Sequence, residues 1–167
     1  MKNFRLSAIL VIVLFVFTSC GLKTIKDEDR MVKETKEEAE QLFEYLKNED
    51  VENLSSLFCQ KQQNEHDLSA EWKEFYSELD DKILSYDNLS TMVTQRSVKD
   101  GQITLLVIKV TFKNITMESG KTYEEMGYST DVRDNVFPEE EGIGVFALTL
   151  EKNDDGYKQL AVGADRT

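Results

Sequence analysis

One histidine, two cysteines and 32 acidic side chains are the groups in this 167-residue sequence that could do chemistry. A nucleophile activated by imidazole would have to use His66, which lies between Glu65 and Asp67 in a polar stretch and reads as a surface residue. Cys59 follows the apolar Phe58 and reads as a packed thiol rather than a nucleophile. Proton transfer by paired carboxylates would draw on Asp87, Glu124, Glu125 and Asp131, each as readily a solvated face residue. So few His and Cys cannot supply a structural zinc set. Asp131, Asp134, Glu139, Glu140 and Glu141 offer oxygen ligands to calcium, but without the spacing of an EF-hand loop. Phosphate-loop, dinucleotide and G-x-S-x-G signatures are absent. No catalytic residue, metal or cofactor is assigned on these grounds.

Cys20 carries the clearest chemistry. Lys2 and Arg5 precede an apolar run from Leu6 to Phe17 broken only by Ser7, the charged and apolar regions of an export signal. The run is well short of the ~20 residues that span a bilayer. The following Phe17-Thr18-Ser19-Cys20-Gly21 resembles a bacterial lipobox, with Phe17 standing where Leu is usual. The resemblance implies cleavage before Cys20, a diacylglycerol group on its thiol, and stable attachment by more than one acyl chain of the palmitate kind. Residues 1–19 are then a lipoprotein signal peptide, 20–26 a lipidated cysteine and tether, and 27–167 a single domain on the outer face of the bacterial cell membrane.

Charge narrows the partners. Removing residues 1–19 takes away Lys2 and Arg5 and no acid, so the remaining chain carries 18 basic and 32 acidic side chains, a net charge of −14. Such a chain repels phosphate backbones, which excludes nucleic acid. The expected partners are the membrane, through lipid on Cys20, and either a small apolar ligand or a protein, a second copy included.

Any site must be positioned by the elements of 27–167. Val32, Ala39, Leu42, Phe43 and Leu46 recur at helical spacing, which predicts a helix over about 27–48. Asp50 is a natural N-cap for a second helix with Val51, Leu54, Leu57 and Phe58 on one side. The polar 60–65 stretch reads as a loop. A third helix, from Asp67 or Ser69 to Leu84, carries Trp72, Phe75, Tyr76, Leu79 and Ile83. The pattern then turns to strands at about 89–97, 103–113, 121–130, 143–151 and 157–162, with turns at Asp100-Gly101 and Asn153-Asp154-Asp155-Gly156. In the second of these, Leu106, Ile108, Val110 and Phe112 share a face, while Ile103, Leu105 and Val107 make the opposite face apolar too. Residues 131–142, with the only proline, read as a long surface loop.

Three N-terminal helices followed by about five strands imply an α+β fold with the helices on one face of an antiparallel sheet. The order of a long helix, then Asn48 to Phe58, then a third helix and a curved sheet resembles the nuclear transport factor 2-like, or cystatin-like cone, superfamily. With the lipobox and Gly142-Ile143-Gly144, it is similar to a lipoprotein family of Gram-positive anaerobes with no assigned activity. The resemblance implies a cone-like sheet enclosing a pocket, with Phe43, Trp72, Phe75, Tyr76, Phe146 and Leu148 as pocket lining or the core beneath it. It also supplies an alternative to binding, an isomerase or dehydratase with a pocket carboxylate beside a Tyr or His. The two most apolar strands, 103–113 and 143–150, contain no acid, so a non-enzymatic role is expected first.

Overall fold

The computed structural model describes residues 2–153 and 156–164, with side chains described over 23–151 and 158–164. Cys20 and the signal region 1–19 therefore lie outside the residues whose side chains are described.

Helix α1, Lys2–Lys47, buries Ala39, Leu42, Phe43 and Leu46 while Lys33, Glu34, Lys36, Glu37, Glu40 and Glu44 face water. Packing begins earlier than the expected start at Asp27. Thr24 is already buried, and its hydroxyl donates to the Gly101 carbonyl at 2.8 Å. Helix α2, Val51–Ser56, is capped by Asp50, whose carboxylate accepts the Asn53 N–H at 3.2 Å. Asp67 caps the fourth helix, α4 (Leu68–Leu79), through the Ala70 N–H at 3.0 Å. These bonds satisfy helix N–H groups that would otherwise lack partners.

Two expectations are corrected here. Residues 60–65, read as a loop, form the short helix α3, Gln60–Glu65. It buries none of its residues, so no apolar stripe announced it. Helix α4 stops at Leu79 rather than Leu84, because Asp80 turns left-handed at φ 47°. Aspartate tolerates that region better than most residues. Ile83 then belongs to a strand, β1 (Ile83–Ser85), and is buried there.

The other strands are β2 (Asn88–Lys99), β3 (Gln102–Met117), β4 (Thr122–Asp134), β5 (Gly142–Asn153) and β6 (Gly156–Val162). All pairings are antiparallel, in the order β1-β3-β4-β5-β6, with β2 also on β3. Strands β1 and β2 thus share one edge of β3, at its end and its beginning. The α+β class holds, with six strands rather than about five. The sheet is neither closed nor strongly curled, unlike the cone expected, and its β2 and β6 edges do not meet.

Two aromatic clusters fill the space between helices and sheet. Trp72 of α4 lies with its ring centroid 5.3 Å from Phe75 and 5.0 Å from Phe146 of β5. Phe43 of α1 meets Tyr86 at 4.6 Å and Phe112 of β3 at 5.5 Å. Offset and edge-on contacts of this kind add to the burial of large apolar rings.

Candidate functional site

The most developed cleft is built around α3. The chain before it is pinned to β5, with the Cys59 N–H donating to the Ile143 carbonyl at 3.0 Å and the Ile143 N–H to Leu57 at 3.1 Å. Gln63 Nε2 donates back to the Phe58 carbonyl at 2.5 Å. This sets α3 against the single 3₁₀ turn Pro138–Glu140, where Lys61 Nζ meets Glu140 Oε1 at 3.0 Å. The cleft holds about 410 Å³ and is lined by Cys59, Lys61, Gln62, Ser129, Asp131, Glu140, Gly144 and Val145.

Of the five acids weighed for calcium, three bring one oxygen each within 4.8 Å of one another: Asp131, Asp134 and Glu140. Two are already engaged. One Asp134 oxygen accepts the N–H groups of Val136 and Phe137 at 2.8 and 2.9 Å, and Glu140 is paired with Lys61. Glu141 accepts the Asp134 N–H at 2.8 Å, closing the turn. Asp131 is left holding a pKa above the ordinary carboxylate range, first because it is partly buried and then because Asp134, Glu140 and Glu141 repel its charge. The group is accounted for as a turn stapled by carboxylates, with Asp131 lining the cleft beside it.

The residues expected as pocket lining or the core beneath it do not line the α3 cleft. Phe43, Trp72, Phe75, Phe146 and Leu148 are buried in the core, and Tyr76 is half-buried against it. Phe75 alone of the six also borders a cleft described on the surface, one of about 290 Å³ between α4 and β6. The Tyr76 hydroxyl donates to the Leu46 carbonyl at 3.1 Å, and burial drives its pKa upward, so it acts as a structural donor.

His66 is less exposed than expected, with its Nδ1 3.0 Å from Glu71 Oε1. It shares a shallow cleft with Ser55, but the buried Ser55 hydroxyl makes no hydrogen bond, so no Ser–His couple is formed. Cys59 is buried, as its neighbour Phe58 suggested. Glu125 is occupied by Lys109 and Lys113 on the outer sheet face, Asp87 accepts from Asn114 at 2.9 Å, and Glu124 is exposed. Lys61, Gln62, Ser129 and Val145 were not singled out from sequence. A polar segment taken for a loop gave no reason to place them against β4 and β5.

The sheet's outer face, opposite α1 and α4, can be read row by row from its register. One row across the strands is Ser90, Thr111, Gly127, Ala147 and Ala161, and the next is Met92, Lys109, Ser129 and Val145. Met92 is 59% and Val145 40% exposed, and Leu105 and Val107 are half-buried further along. Ile103 does not belong to this face. Pairing slips by one residue at Thr104, which returns Ile103 to the core at 6% exposure.

Every residue lining the α3 cleft, and the outer-face rows from Ser90 to Ala147, falls within residues 41–153, which match a family described as a domain of unknown function, DUF5104. No curated protein matches the chain. On the extent of that match, about two thirds of the sequence, the chain belongs to the DUF5104 family.

Proposed function

We propose that this chain is a lipoprotein held on the outer face of a bacterial cell membrane by acyl chains on Cys20, and that its DUF5104 domain works there by binding rather than by catalysis. The nuclear transport factor 2-like kinship proposed for it rests on the order of helices and strands, since the sheet is not strongly curled. One observation carries the choice of binding surface. The aromatic core fills the space between the helices and the sheet, while the outer face of the sheet offers Met92, Leu105, Val107 and Val145 among Lys109, Lys113 and Glu125. Apolar side chains rimmed by charges are the composition of a protein-interaction surface. An isomerase-type site asks for a carboxylate beside a Tyr or His, and the cleft that holds Asp131 is lined by neither.

Two measurements test the two halves. Detergent phase partition of cells should place the wild type in the detergent phase and Cys20→Ser in the aqueous phase. Equal partition of the two would remove the anchor. Native mass spectrometry of residues 21–167 after incubation with envelope extract should show a bound protein, or a second copy, that Met92→Asp/Leu105→Asp loses while keeping its melting temperature. A bound mass that survives this variant would remove the outer face from the proposal. A small mass lost instead by Asp131→Asn would move the site to the α3 cleft.

A further inference from the structure

The bond from Thr24 to Gly101 joins the first packed turn of α1 to the turn between β2 and β3. Arg96 of β2 reinforces the junction, its Nε lying 2.9 Å from Glu28. Cys20 stands four residues before Thr24, so acyl chains on Cys20 hold this end of the domain within ~14 Å of the bilayer even over a fully extended connection. The loop after β4 comes to the same end, because the Asn135 N–H donates to the Thr104 carbonyl at 3.0 Å, three residues past Gly101.

Large exposed apolar side chains gather there. Among the described residues seven are exposed, and four of them belong to these three segments: Ile25 at 52%, Val98 at 45%, Val136 at 72% and Phe137 at 51%. Exposed apolar groups concentrated at one end of a domain mark a contact surface. The same three segments carry Lys23, Lys26 and Lys99 and, of the opposite sign, Asp27, Asp29, Asp100, Glu139 and Glu140. Charges of both signs do not select an anionic surface, so the apolar side chains carry the contact.

We infer that this end of the domain is a membrane-facing surface, with Ile25, Val98, Val136 and Phe137 resting in the headgroup region of the bilayer that holds the lipid on Cys20. The inference rests on the reading of Cys20 as the anchor. Four side chains alone give weak interfacial binding, but a lipid a few residues away makes the contact intramolecular and raises its effective concentration. The contact fixes an orientation. Strand β3, 16 residues long, leads away from the bilayer over ~50 Å at ~3.3 Å per residue and carries its far turn at Glu118 outward. The α3 cleft then lies in the membrane-proximal half of the domain, since Asp131 pairs with Val107 in the first half of β3.

Nitroxide labels test this, placed singly as Ile25→Cys, Val98→Cys, Val136→Cys, Phe137→Cys and, as the distal reference, Glu118→Cys. The full chain is processed in a bacterial host and reconstituted in phosphatidylcholine vesicles. Cys59, 4% exposed, does not take the label in the folded protein. The ratio of oxygen to nickel-chelate collision rates should be several-fold higher at the four proximal sites than at the distal one. Equal ratios at all five sites, on a chain whose mass shows diacylglycerol on Cys20, would overturn the membrane-facing surface and leave the anchor standing. A mass showing an unmodified Cys20 would sink the anchor and this inference together.

Discussion

His66 Nδ1 lies 3.0 Å from one oxygen of Glu71, whose other oxygen accepts the Gly163 N–H at 2.7 Å. A single carboxylate on α4 therefore holds the segment before that helix and the end of β6. Gly163 has φ +76°, and a Cβ there would meet the Gly144 carbonyl and the Phe58 ring, both at 2.7 Å, so the position is fixed from two sides.

Glu71→Ala should cost about 1–3 kcal/mol, because it takes the acceptor from the part-buried Gly163 N–H. Glu71→Gln, which keeps an acceptor, should recover part of that loss. Urea denaturation midpoints for the two variants decide the matter. Equal stability of wild type and Glu71→Ala would mean that solvent replaces the carboxylate at no cost.

Gly127 is a second point at which the backbone leaves no room. It faces outward on β4, opposite Thr111 and Ala147, and a Cβ built on it would run into the Val110 carbonyl. A backbone group cannot swing aside as a side-chain tip can, so Gly127→Ala should destabilise by about 1–3 kcal/mol or more. Gly144→Ala is the matched reference, since nothing lies within 4 Å of its added Cβ. Thermal melts in which both variants lose the same amount would show that the strand relaxes freely at Gly127.

Much of this architecture was legible because apolar spacing and capping residues report it directly. Leu42, Phe43 and Leu46 fell on the buried side of α1, Asp50 and Asp67 cap the helices they precede, and Asp100-Gly101 forms the turn between β2 and β3. What escaped has no local signature. Helix α3 is polar throughout and is placed by bonds from its N-cap Cys59 to Ile143, from Gln63 to Phe58 and from Lys61 to Glu140. The slip at Thr104 depends on two strands at once, so Ile103 read as outward from its own strand alone. The α3 cleft combines residues 59–62, 129–131 and 140–145, a juxtaposition created by topology. The six aromatic and aliphatic residues were recognisable as buried, while whether a cavity lay beside them depended on packing in three dimensions.

Asp131 supplies a test by pH. Its pKa in the folded chain is raised by burial and by Asp134, Glu140 and Glu141, so ionising it opposes folding. That cost is absent below the ordinary carboxylate value of about 3.9 and grows as the pH rises through the raised value. Asp131→Asn should therefore be more stable than wild type at pH 7, by a few tenths to about 1 kcal/mol given its partial exposure. The difference should close as the pH falls below about 4. A variant that is less stable at pH 7 would mean that the ionised carboxylate has a partner in solution, and titration with calcium would identify a cation in that role.

Cys59 offers a measurement that reports on packing and anchoring together. It is buried where α3 meets β5, with its N–H bonded to Ile143. A thiol reagent should therefore react with it slowly in the native protein and promptly in denaturant. A chain whose Cys20 sulfur carries diacylglycerol has no second thiol to offer, so the denatured lipoprotein should titrate as one thiol and an unprocessed chain as two. Fast native reaction would contradict the burial of Cys59. Two thiols in the denatured membrane fraction would instead contradict the lipid on Cys20. Because Cys59 is buried, dimers linked through it should also be missing from non-reducing gels of folded protein.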